Sequence, residues 1–286
     1  NQNKKLEQKK KELQDFIARF SANASKSKQA TSRKKQLEKL QFEDMQISNR
    51  KYPYIEFKPE REAGNNMLKV ENLSKTVDGE KVIDNISFTI NTGDKVVILS
   101  NNDIAKTTLF QLLAGEIEPD EGKIEWGVTT SQSYFPKDNS KYFEGVDLSL
   151  IDWLRQFSND QHEEYVRGFL GRMLFSGEEA TKKAKVLSGG EKVRCMLSKM
   201  MLSNANVLLL DNPTDHLDLE SITSLNKSLE RFPGTILFTT HDHEFIQTIA
   251  NKIIEITPKG ILEKEMEYDD YLNDENVQEK LEGMYK

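Results

Sequence analysis

Leu187-Ser188-Gly189-Gly190-Glu191-Lys192 is a glycine turn that opens straight into a helical stretch. Glycines at a helix start let backbone amides approach a phosphate, and the helix dipole favours negative charge there. Fifteen residues after Lys192 comes Val207-Leu208-Leu209-Leu210-Asp211-Asn212, an apolar strand ending in an acid. His241 stands thirty residues beyond Asp211, after the run Thr235–Thr240. Taken singly these are a turn before a helix, a buried strand and a histidine, which is usually structural. Their order and spacing make them one constellation and direct attention to the loops at the strand ends.

Outward from these motifs, the chain alternates strands and helices. Met67–Val70 and Ile83–Ile90 read as paired strands with Asp78-Gly79 in the turn. Lys95–Leu99 is a short apolar strand, followed by a loop Ser100–Lys106 and a helix Thr107–Ala114. Residues 145–203 read as mostly helical. Val207–Asp211, Thr235–Thr240 and Ile253–Ile256 read as buried strands separated by helices, which predicts an α/β fold with a mainly parallel sheet. Upstream, Leu6, Leu13, Phe16, Ile17 and Phe20 recur at helical spacing; Ser21 to Lys28 breaks the pattern, and Leu37, Leu40 and Ile47 resume it, with Phe42 and Met45 nearby. That predicts two helices packed antiparallel across a narrow apolar stripe. Pro53 and Pro59 end this arm and begin an extended linker. The tail, Tyr268–Lys286, is polar and predicted helical.

A phosphate loop requires G-x-x-x-x-G-K-[ST] between a strand and a helix. The frame here is Ser100-Asn101-Asn102-Asp103-Ile104-Ala105-Lys106-Thr107, followed by Thr108. Lys106 can reach the β- and γ-phosphates, Thr107 can offer a hydroxyl to Mg²⁺, and the amides of the helix start still point at an anion. Both pattern glycines are missing, at Ser100 and Ala105. If the backbone keeps left-handed geometry, each non-glycine residue there costs roughly 1–2 kcal/mol. Asp103 adds a carboxylate that is unfavourable beside phosphates unless it is paired. The competing reading is a plain strand-to-helix turn with a helical lysine.

Asp211 ends its strand where an acid would hold Mg²⁺ through water. The next position, where a carboxylate would orient or deprotonate the attacking water, is Asn212. A carboxamide can hydrogen-bond water but cannot take its proton, and a lost general base costs about 10²–10⁴ in rate. Pro213-Thr214-Asp215-His216-Leu217-Asp218 follows. His241, after a strand and before Asp242, can contact a γ-phosphate and sense its loss. The four histidines show no metal-ligand spacing, and no Ser-His-Asp pattern is present.

Charge is unevenly distributed. Residues 1–51 carry 14 Lys/Arg against 6 Asp/Glu, a net of +8, so the remainder carries −15 of the overall −7. A basic arm on an acidic body suggests an anionic partner, with RNA the first candidate; a solvated helical linker is the alternative. No apolar run approaches the ~18 residues that span a bilayer. The lysine-rich start has no secretory pattern. The single Cys195 allows no internal disulfide and fits a reducing cytoplasm.

Together, Leu187–Lys192, Pro213–Asp218, the run Thr240-His241-Asp242 and the basic helical arm at 1–50 resemble the ABC ATPase family. Within it the chain looks like the second half of an ABC-F protein, which carries two ATPase domains in one chain, no transmembrane domain and a charged helical linker between them. The resemblance implies an ABC-type P-loop NTPase domain: a mainly parallel sheet, an antiparallel β subdomain and a helical subdomain, preceded by an α-helical hairpin. It divides the chain into a hairpin at 1–52, a connector at 53–66, an ATPase domain at 67–258 with its helical subdomain about 145–203, and an extension at 259–286. Its implied ligands are ATP and Mg²⁺. Thr107 and Asp211 would face the metal, and Asn101 to Thr108 with Lys137 would face the nucleotide. Ser188, Gly189, Gly190, Glu191 and Asp218 would face ATP held by a second ABC domain.

Against the family pattern, Ser100, Asp103 and Ala105 replace glycines and Lys137 replaces the Q-loop glutamine after Tyr134-Phe135-Pro136. Asn212 replaces the catalytic Glu, and the adenine-stacking aromatic near Thr76-Val77 is missing. The resemblance therefore implies a degenerate site beside a well-formed signature. It also implies a cytoplasmic, membrane-free, ATP-dependent clamp on the ribosome, with residues 1–51 reaching toward tRNA, in translation or antibiotic resistance. Three alternatives stay open: the ATPase subunit of a transporter, an interaction module that binds no nucleotide, and a DNA-repair or chromosome-associated ATPase.

Overall fold

The computed structural model describes residues 2–20, 32–39 and 52–286. The chain divides into two compact units, one up to Tyr54 and one from Ile55 to Lys286.

In the first unit, helix α1 spans Gln2–Phe20 and a second helix, α2, covers residues 32–39. Leu13 is buried and Ile17, one turn on, is half-buried, as the apolar stripe requires. The expected break at 21–28 and the continuation through Leu40, Phe42, Met45 and Ile47 lie outside the described residues.

The second unit is built on two sheets. Strands β1 (Asn66–Val77) and β2 (Glu80–Asn91) form an antiparallel hairpin, joined by β4 (Glu121–Trp126) on the other edge of β1. Asp78 and Gly79 both have positive φ, 49° and 81°. An Asp-Gly turn of this kind matches the twist of the strands it joins. The larger sheet has the order β5 (Gln132–Phe135), β6 (Val207–Asp211), β7 (Thr235–Thr239), β3 (Lys95–Leu99), β8 (Lys252–Thr257) and β9 (Gly260–Lys264). All its neighbours are parallel except β8 and β9. β6, β7 and β8 are buried at every position, which is why their centres read as apolar runs, broken in β8 by the buried Glu255.

Helix α3 (Asp103–Leu113) packs Leu109, Phe110 and Leu113 into a core shared with Ile83, Phe88 and the β3 residues Val96 and Ile98. A second core holds the helical region: α4 (Leu150–Arg155), α5 (Glu163–Arg172) and α6 (Gly189–Ser203), with two short 3₁₀ turns between α5 and α6. Trp153 stacks on Phe143 at 5.0 Å there. Helix α7 (Leu219–Arg231) and α8 (His243–Ile249) return the chain between strands, and α9 (Tyr268–Asn273) and α10 (Glu275–Tyr285) close it.

Three sequence expectations change. The helix predicted from Thr107 begins at Asp103, because Asn102 caps it there. β4 and β5 were not legible as strands; β4 is largely exposed and β5 is only 4 residues long. The sheet also runs past 258, since β9 pairs with β8. The connector before β1 has no regular element up to Asn65, yet Ile55 and Phe57 are buried, and the Glu60 amide donates to the Asn204 carbonyl at 2.8 Å.

Candidate functional site

The central strand β3 delivers Ser100 to the carboxyl edge of the larger sheet, where ligands of open α/β folds bind. The loop that follows is closed on itself. Ser100 Oγ donates to the Ile256 carbonyl at 2.8 Å and accepts from the Asn102 amide at 3.1 Å. Asn102 Oδ1 accepts the Ile104 amide at 3.0 Å, and its carbonyl accepts the Lys106 amide at 3.4 Å. No residue of 100–107 has positive φ. The left-handed geometry that glycine would serve is therefore not adopted, and the strain expected at Ser100 and Ala105 does not arise. The helix instead winds four residues earlier than predicted.

Asp103, in the first turn of α3, bonds Lys106 Nζ at 2.9 Å. The Lys106 side chain is only 6% exposed and that of Asp103 is 54% exposed. The Lys106 hydrogen bond, with weaker help from Lys137 and His241, holds the Asp103 carboxyl below the ordinary carboxylate range. A charged carboxylate at a helix N-terminus is favoured by the dipole. Asp103 is thus an anion built into the loop, facing Lys106 and the helix start.

Asp211, at the end of β6, is fully buried. Its Oδ2 accepts from Thr107 Oγ1 at 2.8 Å and its Oδ1 from Asn212 Nδ2 at 3.3 Å. Burial pushes the Asp211 pKa up, against the Thr107 hydrogen bond and the charges of Lys137 and Lys106. One hydroxyl and one carboxylate suit Mg²⁺, which keeps several waters and takes further oxygens from phosphates. They do not form an all-protein cage, and among the described residues no group of three or more His, Cys, Asp or Glu could hold a metal. Asn212 has φ 52°, a left-handed conformation that asparagine tolerates better than most residues. Its amide donates to the Thr239 carbonyl at 3.0 Å, and its buried Oδ1 has no partner. That acceptor is free to take a hydrogen bond from a further donor. His241 is exposed just after β7, and Lys137 is exposed just after β5.

The signature is built differently. Ser188 caps α6: its Oγ accepts the Glu191 amide at 3.3 Å, and Glu191 Oε1 accepts the Ser188 amide at 3.1 Å. This reciprocal capping box satisfies two donors at once. Lys182 Nζ bonds Glu191 Oε2 at 3.1 Å. Burial works upward on the Glu191 carboxyl, but the Ser188 and Lys182 hydrogen bonds outweigh it and leave it lowered. The glycines serve packing here: a Cβ on Gly190 would lie 2.8 Å from the His216 carbonyl, and one on Gly189 3.4 Å from the His216 ring. Asp218 caps α7, accepting from the Ser221 amide at 2.8 Å. The structure therefore gathers Asn101–Thr108, Lys137, Asp211, Asn212 and His241 at one sheet edge. Among the described residues, no hydrogen bond or ion pair joins Ser188–Glu191 to them.

A family model described as ABC transporter matches residues 83–215, and a second with the same description matches residues 1–57. The chain belongs to the ABC ATPase domain family. It is 64% identical over 284 residues to the uncharacterized ABC transporter ATP-binding protein YkpA of Bacillus subtilis, covering 99% of this chain and 53% of that protein. It is 31% identical over 277 residues to ABC transporter F family member 2 of Arabidopsis thaliana, covering 95% and 41%. In fold it is similar to a solved dimeric ATP-binding cassette in a post-hydrolysis state bound to ADP and Pi, with a TM-score of 0.58 at 18% identity, covering 70% of this chain and 98% of that one. The chain spans about half the length of the curated relatives it matches. No helix among the described residues is long and apolar enough to cross a membrane.

Two parts of this ABC ATPase domain escaped the sequence reading. Tyr285, on α10, reaches the Asn101 amide at 3.1 Å across 184 residues of sequence, and no local pattern signals it. The Asp103–Lys106 pair was legible as an i,i+3 spacing, but its role as an internal anion was not.

Proposed function

We propose that this chain is half of an ABC-F type clamp that acts on the ribosome, in translation or antibiotic resistance, and that works in the cytoplasm. Its own site holds ATP weakly and hydrolyses it slowly or not at all. Its signature, Ser188 to Glu191, and Asp218 complete an ATP site of a second ABC domain. The observation that carries this reading is the contrast between the two half-sites. The signature helix start is preformed by a full capping box, whereas the phosphate loop is closed around its own Asp103.

Hydrolysis requires a base for the attacking water, and Asn212 cannot accept a proton. It can orient water through Oδ1, the orphaned acceptor. Lys106 would leave Asp103 for the β- and γ-phosphates when ATP enters. Thr107 and Asp211 would hold Mg²⁺, which neutralises phosphate charge when bound. His241 would read the γ-phosphate. ATP then favours closure of the two domains more than it drives turnover here. The +8 arm at 1–51 supports a phosphate-rich partner, because Lys and Arg release counterions from nucleic acid. The similarity to a protein named as an F family member supports the same reading.

The test is co-sedimentation of the full-length protein with ribosomes. Binding should rise with a non-hydrolysable ATP analogue, and should weaken when lysines of residues 1–51 are replaced by glutamine. Binding indifferent to both would refute the clamp. In single-turnover assays Asn212→Glu should add a second hydrolysing site. Two active sites in the unaltered protein would sink the claim of a silent one.

A further inference from the structure

The start of the phosphate loop is tied to α10 at Asn101 and to β8 at Ser100. Tyr285, in the final turn of α10, accepts the Asn101 amide at its hydroxyl oxygen and donates to Glu255 Oε2 at 2.6 Å. Glu255, on β8, is buried, and its Oε1 accepts the Tyr271 hydroxyl at 2.9 Å. Burial, then the contact with Glu255, raises the Tyr285 pKa, so the phenol stays a protonated donor. The next residue of β8, Ile256, accepts Ser100 Oγ through its carbonyl, and Ser100 Oγ in turn receives the Asn102 amide. Asn102 caps α3. One hydrogen-bonded path therefore runs from α10 through β8 to the start of the phosphate-loop helix. α10 buries Val277 and Leu281 and borders a cavity of about 340 Å³ lined by Asn101, Gln278, Glu282 and Tyr285.

We propose that α10 is a latch: through Tyr285 it holds the phosphate loop in the closed arrangement that excludes a polyphosphate, and its displacement opens the loop. The amides of Asn101, Asn102, Ile104 and Lys106 all have internal partners in the closed form, so a polyphosphate can use them only after this network yields. The consequence for nucleotide rests on the proposed ATP site, but the latch itself does not.

The test is hydrogen exchange at residues 101–106 of the full-length protein without nucleotide. Tyr285→Phe removes the acceptor of the Asn101 amide and leaves the ring in place. Loss of one net hydrogen bond should speed local opening by about fivefold, while exchange at 188–192 stays unchanged. Tyr271→Phe breaks a bond to the same carboxylate without touching the loop, and should leave 101–106 protected. Unchanged exchange in Tyr285→Phe, or an equal rise in Tyr271→Phe, overturns the latch. Titration with an Mg²⁺-loaded, non-hydrolysable ATP analogue should then give about fivefold tighter protection of 101–108 in Tyr285→Phe. If exchange responds and neither protein gains protection, the latch stands and the nucleotide reading of this site falls.

Discussion

Replacing Asp103 by Asn should tighten nucleotide binding at this site, although it removes a salt bridge from a domain whose fold it helps to hold. Two effects act in the same direction. The Asp103–Lys106 bond, 2.9 Å long and straddling the surface, favours the closed loop by about 1 kcal/mol, the upper range for partly exposed pairs. Removing it releases Lys106 and shifts the loop about fivefold toward opening. The second effect is repulsion. A carboxylate about 6 Å from a phosphate charge opposes it by roughly 0.7 kcal/mol at the dielectric of water and about 3 kcal/mol at an effective value of 20. With salt screening, the sum corresponds to about 10- to 100-fold tighter binding. The pH dependence has a definite sign. The Asp103 pKa is lowered by Lys106, so the pair's contribution is fully present above the unfolded carboxylate value near 4 and is lost as pH falls through the lower folded value. The full difference between the proteins should therefore appear at pH 7. Hydrogen exchange at 101–108 against concentration of an Mg²⁺-loaded ATP analogue reads this site alone, even beside a second binding domain. Equal or weaker half-saturation in Asp103→Asn would refute the view of Asp103 as an internal anion.

Asp211→Asn should raise thermal stability at pH 7 without nucleotide, by about 2–4 °C, the effect of about 1 kcal/mol in a domain of this size. Burial raises the Asp211 pKa, so its contribution to stability is present below the unfolded value and lost as pH rises through the folded one; a fall in Tm at pH 7 would contradict this. Gly190→Ala should lower Tm by about 2–12 °C, because a Cβ 2.8 Å from the His216 carbonyl forces a backbone shift of the 1–3 kcal/mol kind. Gly189→Ala, at 3.4 Å from the His216 ring, should be nearly neutral, and equal effects at the two glycines would show that this packing does not matter.

Much of the fold was legible because its signals are local. β3 and β6 have the predicted bounds, since a buried parallel strand is a short apolar run and little else. Asp78-Gly79 marks its own hairpin. The glycine turn at 188–190 marks the start of α6, although the capping box of Ser188 and Glu191 that fixes it was not read from the sequence. What stayed hidden depends on partners distant in sequence or on competition between two local solutions. β9 is an edge strand whose pairing with β8 no periodicity reveals. In the phosphate loop, the sequence is compatible with a strained left-handed turn or with an earlier helix start. Asn102, a good cap, with Asp103 in the first turn, decides for the helix.

The three replacements in that loop are therefore better understood as a set than as losses. A loop that had merely shed its glycines would carry backbone strain or side chains without partners. Here Ser100 both donates and accepts, and Asp103 neutralises a lysine that is nearly out of solvent. Ala105 is 1% exposed in the core under α3, where a methyl group adds buried surface and glycine would weaken the helix. Each change stabilises the same closed arrangement, and none stabilises an open phosphate cradle. Asn212 fits that arrangement too, since its left-handed backbone suits asparagine and its amide bonds the buried Asp211. A glutamate there would place a second carboxylate beside the first, where Lys106 is already engaged by Asp103 and the charges of Lys137 and Lys106 already act on Asp211. The closed loop and the residue at 212 are thus physically coupled: Asn212→Glu alone should destabilise the closed form, and adding Asp103→Asn, which itself removes the bond to Lys106, should destabilise it by less than the sum of the two single changes, because Lys106 is then free to meet the added charge; strictly additive losses in Tm would refute the coupling.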